Sequence, residues 1–187
     1  MTPGFTGAEI ENLVNTAITE AVHNHKEMAD ADDFEYARDR IMMGIERKNL
    51  SMTEKDRLNT AIHESGHALV AYMNPNAMKL YKATIVARGG ALGVTHMVPD
   101  ESMMTSMNKR QFLAQIDVAM GGHVAEKLII GNSKISSGCS SDLQGATNLA
   151  NEAVRTCGMF GELAGYVSMD FDHSSEGHNA QIDRAVK

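Results

Sequence analysis

His63-Glu64-Ser65-Gly66-His67 puts two imidazoles and a carboxylate within little more than one helical turn. Residues four apart stand one above the other on a helix, so His63 and His67 can each turn a ring nitrogen toward one metal ion. Glu64 falls about 100° round the helix, beside the position that the protein ligands leave open. Zinc lowers the pKa of a bound water to about 7, and a neighbouring carboxylate can take the proton as that water attacks a carbonyl. The pattern is HExxH, with His63 and His67 as candidate metal ligands and Glu64 as candidate general base. Ser65 and Gly66 are small, which predicts open space for metal and substrate beside the ligands.

Context must separate a metal site from two histidines that merely satisfy hydrogen bonds on a half-buried helix. Thr53 with Asp56 reads as a helix start, and Asn74-Pro75 as its stop just after Met73. Leu58, Ile62, Leu69 and Met73 form one stripe at helical spacing, and both histidines lie about 80° or more from it. That stripe is expected in the core, with the polar chemistry on the other side. A third ligand has two candidates. Glu126 sits on a later helix, as in HExxH enzymes that draw a Glu from a following helix, or it is a carboxylate that hydrogen-bonds a ligand histidine. Asp142 follows a run of small residues that would let backbone approach a metal, or it merely stabilises a helix N-terminus. Local physics leaves the two open.

The 187 residues are 43% hydrophobic, enough for one substantial core plus a small appended unit. A net charge of −7 without any run of Lys or Arg argues against nucleic acid as a partner. Cys139 and Cys157 flank a predicted helix of about 18 residues, too far apart to bridge, and both are expected as small packing residues. No stretch approaches the roughly 20 apolar residues of a membrane span, and no signal peptide opens the chain. The final segment, Ala180 to Lys187, begins an amphipathic helix with no stop signal. A fragment of a longer protein is expected.

Two helices are predicted before residue 50. The first is capped by Thr6-Gly7-Ala8-Glu9 and carries Ile10, Leu13, Ala17 and Ala21; the second opens at Asp30, Asp32 or Asp33 and ends near Gly44. After the His-bearing helix, Leu80–Val86 and Leu92–Val98 read as strands joined by a turn at Arg88-Gly89-Gly90. Such a hairpin could pair its edge with an extended substrate or serve structure alone. A long helix follows from about Lys109 to Ile130, with Phe112, Ile116, Met120, Val124 and Leu128 along one face. Its Gly121-Gly122 pair predicts close approach to the His-bearing helix, and Gly131 ends it. Ser141 with Gln144 is expected to cap a further helix reaching Cys157. Asp170 to Asn179 reads as a polar, mobile segment in which His173 and His178 are solvated.

With HExxH set beside these other motifs, the chain resembles the FtsH family of membrane-anchored AAA zinc metalloproteases, and within it the i-AAA branch of mitochondria. The matching stretches are Pro3–Ala8, Ala61–Ala68, Leu80–Ile85, Arg88–Gly93, Met120–Gly122 and Ser137–Gln144, in the family's order. The resemblance implies a mainly α fold with a small β-hairpin: a zincin-type helical peptidase domain over residues 51–187, preceded over residues 1–50 by the C-terminal part of an AAA helical lid. It implies Zn2+ held by His63, His67 and Asp142, because Ser-Ser-Asp-Leu-Gln matches the stretch carrying the family's third ligand. It implies, for the full-length protein, ATP and Mg2+, a homohexamer that threads unfolded polypeptides into a peptidase chamber, a membrane anchor outside this segment, and a mitochondrial inner-membrane location. Ser65 stands where the family usually has Ala, and His123 where a basic residue is common; neither is a ligand position. No GxxxxGK[ST] phosphate loop occurs in these residues, so ATP hydrolysis is not expected of them, and the family's peptidase domain extends beyond the last residue here.

The leading expectation is a zinc endopeptidase. The alternatives are a catalytically silent zinc-fold module with a closed structural metal, which would need a further His or Cys ligand, and an assembly or binding module serving hexamer formation.

Overall fold

The computed structural model describes residues 2, 4–47, 49–166, 168 and 175–186. In chain order its elements are α1 (Gly7–His23), α2 (Ala31–Met43), α3 (Glu54–Met73), β1 (Lys79–Thr84), β2 (Val94–Val98), α4 (Glu101–Thr105), α5 (Lys109–Ile129), α6 (Ser140–Asn151), α7 (Gly161–Ala164) and α8 (Glu176–Val186). The four longest helices begin where a side chain meets their free N–H groups: Thr6, Asp30, Thr53 and Asn108 each accept from backbone two or three residues on, and each completes a capping box. The architecture is mainly helical with one antiparallel hairpin, as expected. Among the described residues no helix is long and apolar enough to cross a membrane.

The centre of the fold is the contact of α3 with α5. Ala71, Ala77, Ala114 and Val118 form its buried cluster, with Val70, Leu80 and Met97 packed against it. A Cβ built on Gly66 would lie 2.3 Å from the Gly121 carbonyl oxygen, and one on Gly121 would lie 2.7 Å from the Gly66 carbonyl oxygen. The two backbones therefore touch, as the glycine pair predicts.

This contact overturns two expectations about helix faces. Leu58, Leu69 and Met73 are 61%, 63% and 69% exposed, whereas the buried face of α3 is Glu64, Gly66, His67 and Ala71. On α5, Phe112 is buried but Val124 and Leu128 are exposed; the buried row continues through Ala114, Val118, Gly121, Gly122 and Glu126. Small residues permit a nearer approach than leucines do, so the glycine seam, not the larger apolar stripe, became the inside. Gly66 is thus occupied by α5 and leaves no space for substrate, and Ser65 points outward.

Four further details differ from expectation. α6 begins at Ser140 without a side-chain cap, and Ser141 lies in its first turn, its hydroxyl donating to the Gly138 carbonyl at 3.4 Å. Beyond Asn151 the helix widens into a π-turn over Glu152–Thr156. Both cysteines are free, but only Cys139 is buried; Cys157 is exposed. The helix α8 starts at Glu176, so 176–179 is ordered helix with His178 half-buried, while residues 170–174, His173 among them, lie outside the described residues.

A buried polar cluster fastens α2 to the hairpin. The register between β1 and β2 slips between Leu80 and Lys82, and Tyr81 is the extra residue. Its hydroxyl donates to Asp39 Oδ1 at 3.2 Å and meets the Arg38 guanidinium. Lys82 donates to Asp39 at 2.5 Å and to Glu35 at 2.9 Å, while Arg88 holds Glu46 at 2.5 Å and the Gly44 carbonyl at 3.1 Å. Asp39 and Arg88 are 3% and 5% exposed, so their charges depend on one another and on Lys82 and Glu46. Removing one buried partner strands the others. Asp39→Asn should lower the unfolding free energy by about 3 kcal/mol in urea titration. Glu35→Gln, at the exposed rim of the same cluster, should change it by less than about 1 kcal/mol.

Candidate metal centre

The glycine contact sets the height of α3 against α5 and so decides what faces the two histidines. A Cβ on Gly122 would lie 2.6 Å from His63 Cε1 and 2.6 Å from His67 Nε2. Gly121 therefore seats the α3 backbone, and its neighbour seats the imidazoles. The rings stand edge to face with centroids 4.7 Å apart.

Each ring is turned by a partner that can only accept. His67 Nδ1 lies 2.7 Å from the Val118 carbonyl oxygen, and His63 Nδ1 lies 2.8 Å from Glu126 Oε1. A carbonyl and a carboxylate draw the ring proton to Nδ1 in both cases, which leaves both Nε2 lone pairs facing inward. Those nitrogens are 3.1 Å apart. From α6, Asp142 Oδ2 reaches to 3.0 Å from His63 Nε2 and 3.4 Å from His67 Nε2. Asp142 Oδ2 is buried and finds no hydrogen-bond donor among the described residues. Three lone-pair atoms thus converge, an arrangement that repels unless a proton or a metal cation is shared among them.

The separations suit a particular cation. Four ligands placed tetrahedrally at zinc's usual 2.0–2.1 Å stand about 3.3 Å from one another. Two imidazoles and a carboxylate are also a zinc-type donor set. No fourth His, Cys, Asp or Glu joins the three among the described residues, so one position stays open.

A second group, His63, Glu126 and Cys139, lies behind the first. Here the carboxylate is already engaged: Glu126 accepts from the Ser136 N–H at 2.6 Å, the Ser136 hydroxyl at 3.0 Å and the Cys139 thiol at 3.3 Å, besides His63. Burial would raise the Glu126 pKa, but the Ser136 donors, with Cys139 and His63, outweigh it and hold it below the usual range. Burial, with Glu126 alongside, pushes the Cys139 thiol up to about 12, so a metal at this second group would have to displace a firmly held proton. Of the two carboxylates weighed from sequence, Glu126 orients a histidine and Asp142 meets the ring nitrogens directly.

Glu64 sits at the rim of a cleft of about 750 Å³ lined by Thr60, His63, His67, Gly90–Thr95, Ser136–Gly138 and Ser140–Asp142, among others. Its Oε2 accepts from the Thr95 hydroxyl at 2.6 Å. Sequence reading missed Thr95, Ser136 and the Val118 carbonyl. Thr95 had a faint signal, being a hydroxyl on a predicted strand two residues after Gly93; a backbone carbonyl has none.

Charge follows from this geometry. Asp142 raises His63 above its ordinary 6.5 against the opposing effect of burial, with Glu126 adding to the rise. Burial works against charged His67, but Asp142 and the Val118 carbonyl outweigh it, and it too rises above 6.5. Burial opposes ionised Asp142, yet the two histidines hold it well below its ordinary 3.8. In the metal-free protein this pairing stabilises the fold over a window: it fades as pH falls through the depressed Asp142 value and again as pH rises through the raised histidine values. A metal must displace the histidine protons. Zinc binding at pH 7 should therefore release protons from the histidines, and that share of the release should shrink as pH rises through their raised values; titration calorimetry in buffers of different ionisation enthalpy measures this. The glycines separate in the same way. Gly122→Ala should cut zinc affinity by about a hundredfold with helical circular dichroism retained, because the three atoms its Cβ comes nearest to all belong to the two imidazoles. Gly121→Ala should destabilise the fold itself by a few kcal/mol in thermal unfolding, about the cost of overpacking a core.

Residues 50–186 match the sequence profile of Peptidase family M41, and residues 1–36 that of the AAA+ lid domain. The chain is 43% identical over 199 residues to an ATP-dependent zinc metalloprotease FtsH of Myxococcus xanthus, covering all of this chain and 31% of that protein. It is 46% identical to the ATP-dependent zinc metalloprotease FTSH 11, chloroplastic/mitochondrial, of Arabidopsis thaliana, over 99% of this chain and 23% of that protein. To the human ATP-dependent zinc metalloprotease YME1L1 it is 40% identical, over 100% of this chain and 24% of that protein. The chain thus spans between about a quarter and a third of the length of these curated relatives. With a family match running through the helix that carries His63 and His67 and on through Asp142, the chain belongs to peptidase family M41.

Proposed function

We propose that this chain is the catalytic part of a zinc metalloendopeptidase, with His63, His67 and Asp142 holding the metal and Glu64 as general base. The observation that carries the reading is the convergence of two Nε2 lone pairs and a donorless buried carboxylate oxygen beside an open cleft. When bound, zinc supplies Lewis acidity for the scissile carbonyl and lowers the pKa of water to about 7. Glu64 takes a proton from the attacking water as the C–O bond forms, then delivers it to the amide nitrogen as the C–N bond breaks. Val118 and Glu126 keep both Nδ1 positions protonated, so neither ring can turn its lone pair away from the site. Substrate is held by the hairpin. β2 pairs only with β1 among the described strands, and Gly90–Thr95 walls the cleft, so its free edge can take an extended peptide as a further strand. Such recognition reads backbone, which fits unfolded polypeptide of varied sequence.

The lid-like residues 1–50 and the peptidase residues 51–187 are then two parts of a longer ATP-dependent protease. The relatives' names support this, as does the AAA+ lid match, and the polar cluster joining α2 to the hairpin gives the two parts a firm mechanical junction. In that protein ATP with Mg2+, a homohexameric ring, a membrane anchor and a location at the mitochondrial inner membrane complete the proposal.

Two sets of variants in the full-length protein test it. Glu64→Gln should keep zinc content near wild type and cut cleavage of a short unstructured peptide by about a hundredfold or more. Zinc lost in proportion to activity would make Glu64 a structural residue instead. Asp142→Asn should lose zinc and activity together, whereas Glu126→Gln should keep most of its zinc at saturating metal with affinity about tenfold weaker. A zinc-replete Asp142→Asn protein contradicts the ligand set.

A further inference from the structure

The geometry points to Thr95 as a positioning residue that fixes which oxygen of Glu64 acts as the base; the inference rests on the proposed role of Glu64. A glutamate carboxylate ends a chain of three rotatable bonds and can present either oxygen to a reacting proton. Here β2 removes that freedom. The Thr95 hydroxyl donates to Oε2 at 2.6 Å, and its oxygen also lies 3.1 Å from the Glu64 backbone carbonyl, so the single hydroxyl proton is held close to the base of the side chain it steers. From the other side Gly93 closes on the carboxylate. A Cβ there would lie 2.8 Å from Glu64 Cγ, 2.9 Å from Oε1 and 2.7 Å from Thr60 Cγ2.

The two contacts divide the labour between the oxygens. Oε2 is anchored by a donor, while Oε1 meets no donor among the described residues, so Oε1 is the oxygen left to take the proton from water. Both contacts come from one short stretch, Gly93-Val94-Thr95, where Thr95 is set by its register opposite Ala83 and Thr84 opposite Val94. The strand whose free edge borders the cleft therefore also aims the base, which ties substrate seating and base orientation to one rigid piece.

The test uses the zinc-loaded full-length protein and a short unstructured peptide, comparing Thr95→Val, Thr95→Ser, Gly93→Ala and Glu64→Gln. Misplacing a reacting group by about 1 Å can cost a hundredfold in rate. Thr95→Val, close in shape but without the hydroxyl, should lower kcat by about 10- to 100-fold with KM within about twofold and zinc stoichiometry unchanged. Thr95→Ser, which restores a hydroxyl at the same place, should recover most of that loss. Gly93→Ala should lower kcat with zinc retained, because its Cβ displaces the carboxylate and leaves the ligands untouched. A wild-type kcat in Thr95→Val beside an inactive Glu64→Gln overturns the positioning role while leaving the base role standing. Full activity in Glu64→Gln removes the base role itself. A Thr95→Val loss that follows zinc content, or that Thr95→Ser shares, also overturns the inference.

Discussion

The backbone-to-backbone contact between Gly66 and Gly121 is the constraint on which the rest of the structure depends. Helices that meet through leucines keep their axes 8–10 Å apart; two glycines allow the near end of that range or less. At this separation an imidazole on α3 can reach the backbone carbonyl of Val118 and the carboxylate of Glu126 on α5 without an intervening side chain. A larger residue at either glycine would push the helices apart and break both hydrogen bonds. The same contact explains why α3 turns its polar, site-bearing face inward and leaves Leu58, Leu69 and Met73 outside.

From that contact the polar groups build outward in order. Glu126 is gripped by Ser136 and Cys139, which fixes the loop after α5, and the loop delivers α6 with Asp142 in its first turn. On the opposite wall the hairpin supplies Thr95 and Gly93 to Glu64. The hairpin is in turn held by α2 through Asp39, Lys82, Tyr81 and Arg88. A buried charge cluster of this kind adds little net stability over apolar packing, but it tolerates few alternative arrangements. It therefore serves to fix where the hairpin stands, and with it one wall of the cleft.

Much of this was legible in the sequence, and the omissions have physical causes. Helix starts were readable because capping is local: Thr6, Asp30 and Thr53 each find their partners within three residues. The approach of α3 to α5 was readable from Gly121-Gly122, which has no other good reason to sit inside a long helix. The inward face of α3 was not readable, since periodicity counts large apolar residues and gives small ones no weight. Ser141 is not the cap, because the preceding residues form their own tight turn, leaving the helix to begin two residues earlier without a side-chain partner. The choice between Glu126 and Asp142 was open to local physics, because it depends on which side of His63 each carboxylate approaches. That is a tertiary fact, and only the resemblance to a family pointed to Asp142 before the geometry was in hand.

The most direct test of the proposed centre is zinc K-edge X-ray absorption on the metal-loaded full-length protein. His63, His67 and Asp142 with one open position predict nitrogen and oxygen scatterers only, at about 2.0–2.2 Å, with imidazole outer shells from two rings. The neighbouring His63, Glu126 and Cys139 group would instead give a sulfur at about 2.3 Å and a single ring. A zinc–sulfur shell in that spectrum would contradict the assignment.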